Sequence, residues 1–339
     1  MKTLILVAGG TAGHVFVANG IAFYGKQKFN TILITDTRGK KYADLSLFHM
    51  IYTLSCSNSN SMILKSPLIA YQIWQIFKKY KNIQIVGCGA YLSVLTGILG
   101  YLFGYTLHIY QGDQVIGRAN HILSYLATTI FVTEKFFQWK YPQQEVGLIS
   151  RHTILSSPIK IDGKLRILII GSSIGAQFWI DTIIQACKLL SKKIRENITI
   201  NQQVSKNKMQ FIKSAYQELE ISHELFEFVD TKIALQWSNF VIARAGLSTI
   251  ADLVRAMRPA LLIPWPNAHA NHQLQNAKWF VKSYGGHYCE EYKFTAQFLA
   301  NMIQNIFYNQ PQLITQSHNL YKWKNTYGGL QIVKILNSD

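Results

Sequence analysis

Two glycine-rich turns, half the chain apart, constrain the fold more than any other feature of the sequence. The first covers residues 9–14 (GGTAGH) and the second covers residues 171–176 (GSSIGA); each follows a short apolar run and precedes an amphipathic stretch. A strand, a glycine turn and a helix in this order form a unit whose helix-start N–H groups can face an anionic or polyhydroxyl ligand. The sequence therefore predicts two ligand-binding α/β domains with a cleft between them.

Short apolar runs alternate with helix-forming stretches through both halves of the chain, which is typical of parallel sheets with right-handed crossovers. Strands are expected at residues 3–8, 31–35, 83–87, 106–110, 129–132, 166–170, 198–202, 225–228, 240–243 and 260–263. Turn residues at 156–158 (SSP) place the boundary between a domain of residues 1–157 and one of residues 158–310. We expect residues 311–339 to return to the first domain as a helix.

Composition is consistent with two packed domains. The chain has 339 residues, of which 49% are hydrophobic, and this is enough to bury a core in each domain. Its four cysteines are scattered, without a CxxC pair or a Cys/His cluster, which argues against disulfides and structural zinc and favours a reducing cytoplasm. Residues 82–112 lack Asp, Glu, Lys and Arg, but their glycines divide them into strand, helix and strand rather than a membrane span.

The formal net charge of +17 predicts a surface that attracts polyanions. Nucleic acid is not the expected partner, because the basic residues are spread and no nucleic-acid-binding motif is present. Residues typical of AT-rich codons account for part of the basicity. The stretch 64–80 combines Ile73, Trp74 and Phe77 with Lys78 on an expected helix that can dock on anionic lipid. Alternatively, its apolar residues face the sheet.

Ligands in such folds bind outside the carboxyl ends of the strands, so four loops carry the candidate site residues. The first glycine turn ends in His14, a candidate acid or base. The second turn has two serines that suit a diphosphate at a helix N-terminus. Residues 244–252 (RAGLSTIAD) end in Asp252, which would bind a ribose diol or complement the helix dipole. Residues 264–277 are rich in amide side chains that suit sugar hydroxyls.

These segments resemble a known family. The two glycine turns, residues 87–93 (GCGAYLS), 117–120 (GRAN), 244–252 and 271–276 (NHQLQN) are similar, in the same order, to the MurG family of N-acetylglucosaminyltransferases. The resemblance covers residues 3–285 and implies a GT-B fold, with two Rossmann-like domains whose parallel sheets face a cleft. It implies a lipid acceptor on the N-terminal domain and a nucleotide donor in the C-terminal domain.

The resemblance also implies a reaction. A GlcNAc group would pass with inversion from UDP-GlcNAc to the C4 hydroxyl of MurNAc in undecaprenyl-pyrophosphoryl-MurNAc-pentapeptide (lipid I), giving lipid II for peptidoglycan. His14 matches the histidine of the family's first glycine turn and is a candidate proton acceptor. Asp113, which stands where the family has asparagine, is the other candidate proton acceptor and also a candidate donor contact. The other implied contacts with UDP-GlcNAc are Thr11, Ala12, Gly13, Lys160, Ser173, Val229, Leu247, Ser248, Thr249, Ile250, Ala251, Asp252, Gln273 and Asn276.

No metal and no cofactor are expected. The sequence has no Asp-x-Asp motif, and helix N-termini together with Lys160 can stabilise the departing diphosphate. The expected partners are UDP-GlcNAc, lipid I and an anionic membrane surface, with other cell-wall synthesis proteins as further candidates. The implied location is the cytoplasmic face of the inner membrane, as a peripheral protein.

The chain departs from the family at one catalytic segment. Where the family has His-Glu-Gln-Asn, this sequence has Tyr110, Gln111, Gly112 and Asp113, so two acid/base candidates are absent and an asparagine has become an aspartate. Either the base has moved or catalysis is weaker. Two alternatives therefore stay open: a GT-B glycosyltransferase with another donor or acceptor, and a catalytically lapsed homologue that still binds a nucleotide sugar. A dehydrogenase is disfavoured, because the first turn is not GxGxxG and Asp36 is only loosely placed for a ribose.

Overall fold

The computed structural model describes residues 1–10, 12–54, 66–135, 141–151, 153–171, 179–228, 230–322 and 327–338. The chain forms two compact units. Unit 1 comprises Met1–His152 and Asn325–Asp339, and unit 2 comprises Thr153–Lys324. The division falls shortly before the expected boundary at 157, and the C-terminal segment 311–339 is divided between the two units.

Unit 1 contains a parallel seven-stranded sheet. Its strands are β1 (Thr3–Val7), β2 (Asn30–Asp36), β3 (Met50–Leu54), β4 (Ile83–Gly87), β5 (Thr106–Gln111), β6 (Thr129–Val132) and β7 (Gln143–Glu145). Its helices are α1 (Ala12–Gly25), α2 (Ser66–Phe77), α3 (Tyr91–Leu102), α4 (Arg118–Leu123) and α13 (Gly328–Ser338). The strand order is β3-β2-β1-β4-β5-β6-β7, so the order reverses between β1 and β4.

The central strands of unit 1 are buried along their whole length. Every residue of β1 and β4 is buried, and Leu4–Val7 have no exposed surface at all. Such continuous apolar runs are typical of a parallel sheet that is covered on both faces. Each fully buried aliphatic side chain stabilises the fold by about 1.5–3 kcal/mol, so this core is the main source of stability in unit 1.

Two glycines let the last helix of unit 1 approach the first one closely. A Cβ on Gly329 of α13 would lie 2.5 Å from the carbonyl oxygen of Gly20 in α1, closer than real Cβ atoms come to any neighbour. The carbonyl oxygens of Gly147 and Leu148 lie equally near a Cβ on Gly328, at 2.8 and 2.9 Å. The residues that follow the second unit in sequence thus complete the first one.

Unit 2 repeats the plan of unit 1 with six strands. They are β8 (Leu165–Ile170), β9 (Ile198–Gln203), β10 (Ser222–Phe226), β11 (Phe240–Ala243), β12 (Ala260–Leu262) and β13 (His287–Tyr288), in the order β10-β9-β8-β11-β12-β13. Its helices are α5 (Ile180–Leu189), α6 (Lys192–Glu196), α7 (Met209–Glu218), α8 (Thr231–Trp237), α9 (Leu247–Ala256), α10 (His272–Tyr284), α11 (Ala296–Tyr308) and α12 (Gln310–Lys322). All pairs are parallel, and the strand order reverses between β8 and β11.

The α/β prediction is confirmed by both sheets. All ten expected strands are present, while β3, β7 and β13 were not expected. Over the ranges described, no helix is both long enough and apolar enough to cross a bilayer. The uncharged stretch of residues 82–112 is instead β4, α3 and β5.

Candidate functional site

The first glycine turn lies at the point where the strand order of unit 1 reverses. Its backbone is held by Asp36 at the end of β2, whose carboxylate accepts hydrogen bonds from the N–H groups of Gly10 (3.0 Å) and Gly39 (2.7 Å). Gly10 has φ +78°, a conformation that glycine adopts without strain. Asp36 is only 4% exposed, so these charge-assisted bonds fix the turn. Thr11 lies outside the described residues.

His14, two residues into α1, is held in one orientation. Its Nδ1 lies 3.1 Å from the carbonyl oxygen of Gly9, and because a carbonyl only accepts, Nδ1 carries the hydrogen. The neutral ring therefore keeps its lone pair on Nε2, the atom that can accept a proton. The ring packs against Gly89, where a Cβ would lie 2.5 Å from Cδ2 and 2.7 Å from Nε2. Gly89 and the next residue, Ala90, have φ +116° and +69°.

The loop with Asp113 follows β5 at the same edge of the sheet. The register β1·β4·β5 places the ends of these strands side by side, so the glycine turn, Gly89 and Asp113 share the carboxyl edge. Asp113 is half-buried. The loop backbone is held by two buried amides, Gln111 and Asn120, which are 3% and 6% exposed. Both predicted proton acceptors of unit 1 thus stand at one edge.

In unit 2, the end of β11 and the start of α9 form a polar turn. Gly246 is the N-cap of α9, and the first turn of the helix, Leu247–Thr249, is half-buried, so its N–H groups lie near the surface. Ile250, Ala251 and Asp252 are buried, and Asp252 has only 2% of its surface exposed. The first turn of α9 is therefore the accessible part of the predicted donor segment.

Arg244, which comes directly after β11, was not predicted as a site residue. Its guanidinium donates to the carbonyl oxygens of Ile263 and Pro264, both at 3.3 Å, and pairs with Glu291 at 2.5 Å. It also lies 4.5 Å from the ring centre of Trp179. Burial lowers the pKa of Arg244, and the bond to Glu291 acts in the opposite direction. Arg244 joins the ends of β11 and β12 and so supports the amide-rich loop. The only feature of the sequence that pointed to Arg244 as a site residue was its position directly after a predicted strand.

The amide-rich loop contains two of the predicted donor residues. Gln273 is half-buried, and its Oε1 accepts a hydrogen bond from the N–H of Trp265 at 3.0 Å, which leaves its NH₂ group to donate. Asn276 is fully buried and donates to the carbonyl oxygen of Ala245 at 3.3 Å. Asn276 therefore supports the turn before α9 instead of offering an accessible contact. Just before α10, Asn271 adopts φ +54°.

Lys160 is separated from the other predicted donor residues of unit 2. Its carbonyl oxygen accepts from Asn239 (2.9 Å) and Arg166 (3.3 Å), which stand at the starts of β11 and β8. Lys160 thus lies at the amino edge of the sheet, whereas α9 and the amide-rich loop begin at the carboxyl edge. Ser173 and Val229 lie outside the described residues.

The predicted membrane residues divide into two groups. Ile73 and Phe77 have 0% and 2% of their surfaces exposed and pack in the core of unit 1, so the prediction that they enter a lipid interface is wrong. Their spacing along α2 places them on the face that covers the sheet. Trp74 is half-buried, and the exposed Lys78 places its Nζ 3.9 Å from the Trp74 ring centre.

Comparisons with known proteins agree with this architecture. Residues 166–327 match the model of the glycosyltransferase family 28 C-terminal domain. Over 95% of both chains, the sequence is 32% identical to the UDP-N-acetylglucosamine–N-acetylmuramyl-(pentapeptide) pyrophosphoryl-undecaprenol N-acetylglucosamine transferase of Rickettsia canadensis. A relative with the same name from a Wolbachia of Drosophila simulans is 27% identical over 98% of both chains.

A solved structure gives the same result for the fold. The crystal structure of Acinetobacter baumannii MurG superposes with a TM-score of 0.82 over the whole of both chains, at 20% identity. The GT-B fold class and the family expected from the glycine turns and the amide-rich loop are therefore confirmed. The chain belongs to the family of UDP-N-acetylglucosamine–N-acetylmuramyl-(pentapeptide) pyrophosphoryl-undecaprenol N-acetylglucosamine transferases, the MurG family.

Proposed function

We propose that this protein transfers GlcNAc from UDP-GlcNAc to the C4 hydroxyl of MurNAc in lipid I, with inversion, to give lipid II. The similarity to a transferase of that name over 95% of the chain carries the proposal. The polar groups at the carboxyl edges of both sheets support it, because this is where open parallel sheets bind their ligands.

The donor is proposed to bind at the carboxyl edge of unit 2. The first turn of α9, Leu247–Thr249, offers N–H groups and the positive end of the helix dipole to the diphosphate. Gln273 has an NH₂ group oriented by its bond to Trp265 and suits a sugar hydroxyl. Asn276 supports this turn through its bond to the carbonyl oxygen of Ala245, and Ile250, Ala251 and Asp252, which follow in α9, are buried. Lys160 is left out, because it stands at the opposite edge of the sheet.

Several further donor contacts are proposed from the family alone. These are Thr11, Ala12, Gly13, Asp113, Ser173 and Val229.

The proton of the acceptor hydroxyl is proposed to pass to His14 or Asp113. The oxygen of the C4 hydroxyl attacks the anomeric carbon of GlcNAc, the bond to the diphosphate breaks, and UDP leaves with the electron pair. His14 suits the role of base because its Nδ1–H is held by Gly9 and its Nε2 keeps the lone pair. Asp113 is half-buried at the same edge and is the alternative base.

We propose that the protein lies peripherally on the cytoplasmic face of an anionic membrane, because its lipid acceptor is held in that membrane. The exposed side of α2 presents Leu68 and Tyr71, each 56% exposed, beside Trp74 and Lys78. Apolar and aromatic side chains next to lysine are the combination that binds an anionic interface. No acidic residue occurs between Asp44 and Asp113, so no carboxylate from this part of the sequence opposes that attraction.

The test is transfer of labelled GlcNAc from UDP-GlcNAc to a short-chain lipid I analogue by the purified protein in detergent. Lipid II analogue is the expected product. Thermal stabilisation by UDP-GlcNAc without product would instead favour the lapsed homologue, which the Tyr110–Asp113 departure motivates. Product from another nucleotide sugar, with none from UDP-GlcNAc, would favour a different GT-B transferase.

A further inference from the structure

The segment that departs from the family at Tyr110–Asp113 contains a buried hydrogen-bond network. Gln111, the last residue of β5, donates from Nε2 to the carbonyl oxygens of Asp113 (2.7 Å) and Val115 (3.0 Å). Its Oε1 accepts from Asn120 Nδ2 at 2.9 Å and from the N–H of Gly117 at 3.5 Å. One side chain therefore holds the loop that carries Asp113 at three separate points.

Neighbouring side chains complete the network. Asn120 Nδ2 also donates to the carbonyl oxygen of Tyr110 at 2.9 Å, and Thr133 Oγ1 donates to the carbonyl oxygen of Gly112 at 3.0 Å. Gly112 is thus held as well, so the backbone on both sides of Asp113 is fixed. Gln111 and Thr133 are 3% and 4% exposed, and water cannot readily replace their bonds.

The network requires an amide at residue 111. Both hydrogens of the Gln111 NH₂ group are directed to carbonyl oxygens, which can only accept. A carboxylate of the same shape would place a negatively charged oxygen against those two carbonyls and would lose both bonds. In a buried site the repulsion and the unsatisfied carbonyls are not screened by solvent. A glutamate at this position is therefore incompatible with the loop conformation of this chain.

We propose that Gln111 is a positioning residue that holds Asp113 in place for the transfer reaction, and that this chain uses no acid or base at residue 111. The inference rests on the proposed function. The inference explains the departure at Tyr110–Asp113 in physical terms. Where the family has a glutamate, Gln111 supplies an amide that orders the loop, and the carboxylate of Asp113 stands two residues further on.

The test compares Gln111→Glu, Gln111→Met and the unchanged protein in the lipid I transfer assay. We expect both variants to lower kcat by about 10- to 100-fold, the range for a displaced catalytic group. Gln202→Glu is the matched control: Gln202 is 1% exposed in unit 2, and its Oε1 accepts from Tyr216, which a carboxylate can also do. It should lose a similar amount of thermal stability but little kcat.

Two results would overturn the proposal. A higher kcat in Gln111→Glu would show that a carboxylate at residue 111 takes part in proton transfer. An equal loss of kcat in Gln202→Glu would show that burial of any new carboxylate explains the effect. If the unchanged protein makes no product, the proposed function fails, and hydrogen exchange decides the inference on its own. Gln111→Met, which removes the oxygen that accepts from the Gly117 N–H, must then speed exchange of the Gly117 amide relative to the unchanged protein; unchanged exchange would contradict the inference.

Discussion

His14 and Gly89 are packed so closely that the glycine cannot be replaced without moving the imidazole. A Cβ at residue 89 would lie 2.5 Å from Cδ2 of His14, and the backbone there has φ +116°. We therefore expect Gly89→Ala to displace His14 and to lower kcat by roughly 100-fold. Transfer kinetics on the lipid I analogue provide the measurement.

Gly104→Ala is the control for the effect of placing an alanine at a positive φ. Gly104 also has a positive φ, +75°, but a Cβ there would meet no atom within 4 Å. Both variants place an alanine at a positive φ, which is less favourable at Gly89 than at Gly104, and only Gly89→Ala crowds His14. Equal losses of kcat in both would contradict a role for the Gly89 contact.

The carboxylate of Asp36 is expected to stabilise unit 1 through the glycine turn. Asp36→Asn removes the charge that accepts from Gly10 and Gly39, and it should lower the free energy of unfolding by about 1.5–3 kcal/mol. Urea unfolding measures the change. Asp44→Asn is the control, because Asp44 caps an exposed turn at Ser46 and asparagine caps equally well. A loss as large in the control would rule out a special role for Asp36.

The ion pair between the buried Arg244 and the half-buried Glu291 supports the proposed donor site. Arg244→Met leaves Glu291 without this partner and releases the carbonyls of Ile263 and Pro264; we expect a loss of about 3 kcal/mol in stability and a higher KM for UDP-GlcNAc.

The exposed pair of Arg166 and Asp162 provides the comparison, since such pairs contribute at most about 1 kcal/mol. Arg166→Met should therefore leave the KM for UDP-GlcNAc nearly unchanged. An unchanged KM in Arg244→Met as well would disconnect Arg244 from donor binding.

Membrane binding should depend on the exposed side of α2. Replacing Leu68 and Tyr71 with serine is expected to weaken sedimentation with phosphatidylglycerol vesicles by roughly tenfold or more, since each inserted side chain contributes at least about 1.5 kcal/mol. Lys78→Ser should weaken binding to anionic vesicles alone. Tyr292→Ser, at a 75% exposed tyrosine of unit 2, is the control. Unaltered binding of the α2 variants would place the membrane surface elsewhere.

The free energy of unfolding should decrease at acidic pH because of His287. Burial lowers the pKa of His287 below its ordinary value of 6.5, so the unfolded chain binds this proton more readily than the folded one. The free energy of unfolding therefore decreases as the pH falls through 6.5 and recovers above it. His287→Gln should reduce the difference between urea titrations at acidic and neutral pH, and an undiminished difference would contradict the role of His287.

Strand positions could be predicted from sequence because their signals are local. The runs that became β1 and β4 are mostly apolar, and a glycine turn follows β1. By contrast, Met50 and Thr53 of β3 are exposed, and the segment shows no alternation of apolar and polar residues that would predict a strand. Short, half-exposed edge strands lack a periodic sequence pattern. Whether such a segment forms a strand depends on the neighbouring strand with which it pairs.

The residues that sequence reasoning missed act through contacts between distant segments. Asp36 reaches Gly10 across 26 residues, and Arg244 reaches Glu291 across two further strands. Ile73 and Phe77 were misassigned for a related reason: an apolar side chain on an amphipathic helix faces either lipid or the sheet, and only packing decides which.

The close approach of α13 to α1 has a consequence for the order of folding during synthesis. Unit 2 is translated before α13, so its sheet can form while unit 1 still lacks the helix that packs on α1 near Gly20. The sheet of unit 2 can therefore fold completely before unit 1 does, although most of unit 1 leaves the ribosome earlier. Until α13 emerges from the ribosome, the surface of α1 that it covers near Gly20 stays exposed to solvent.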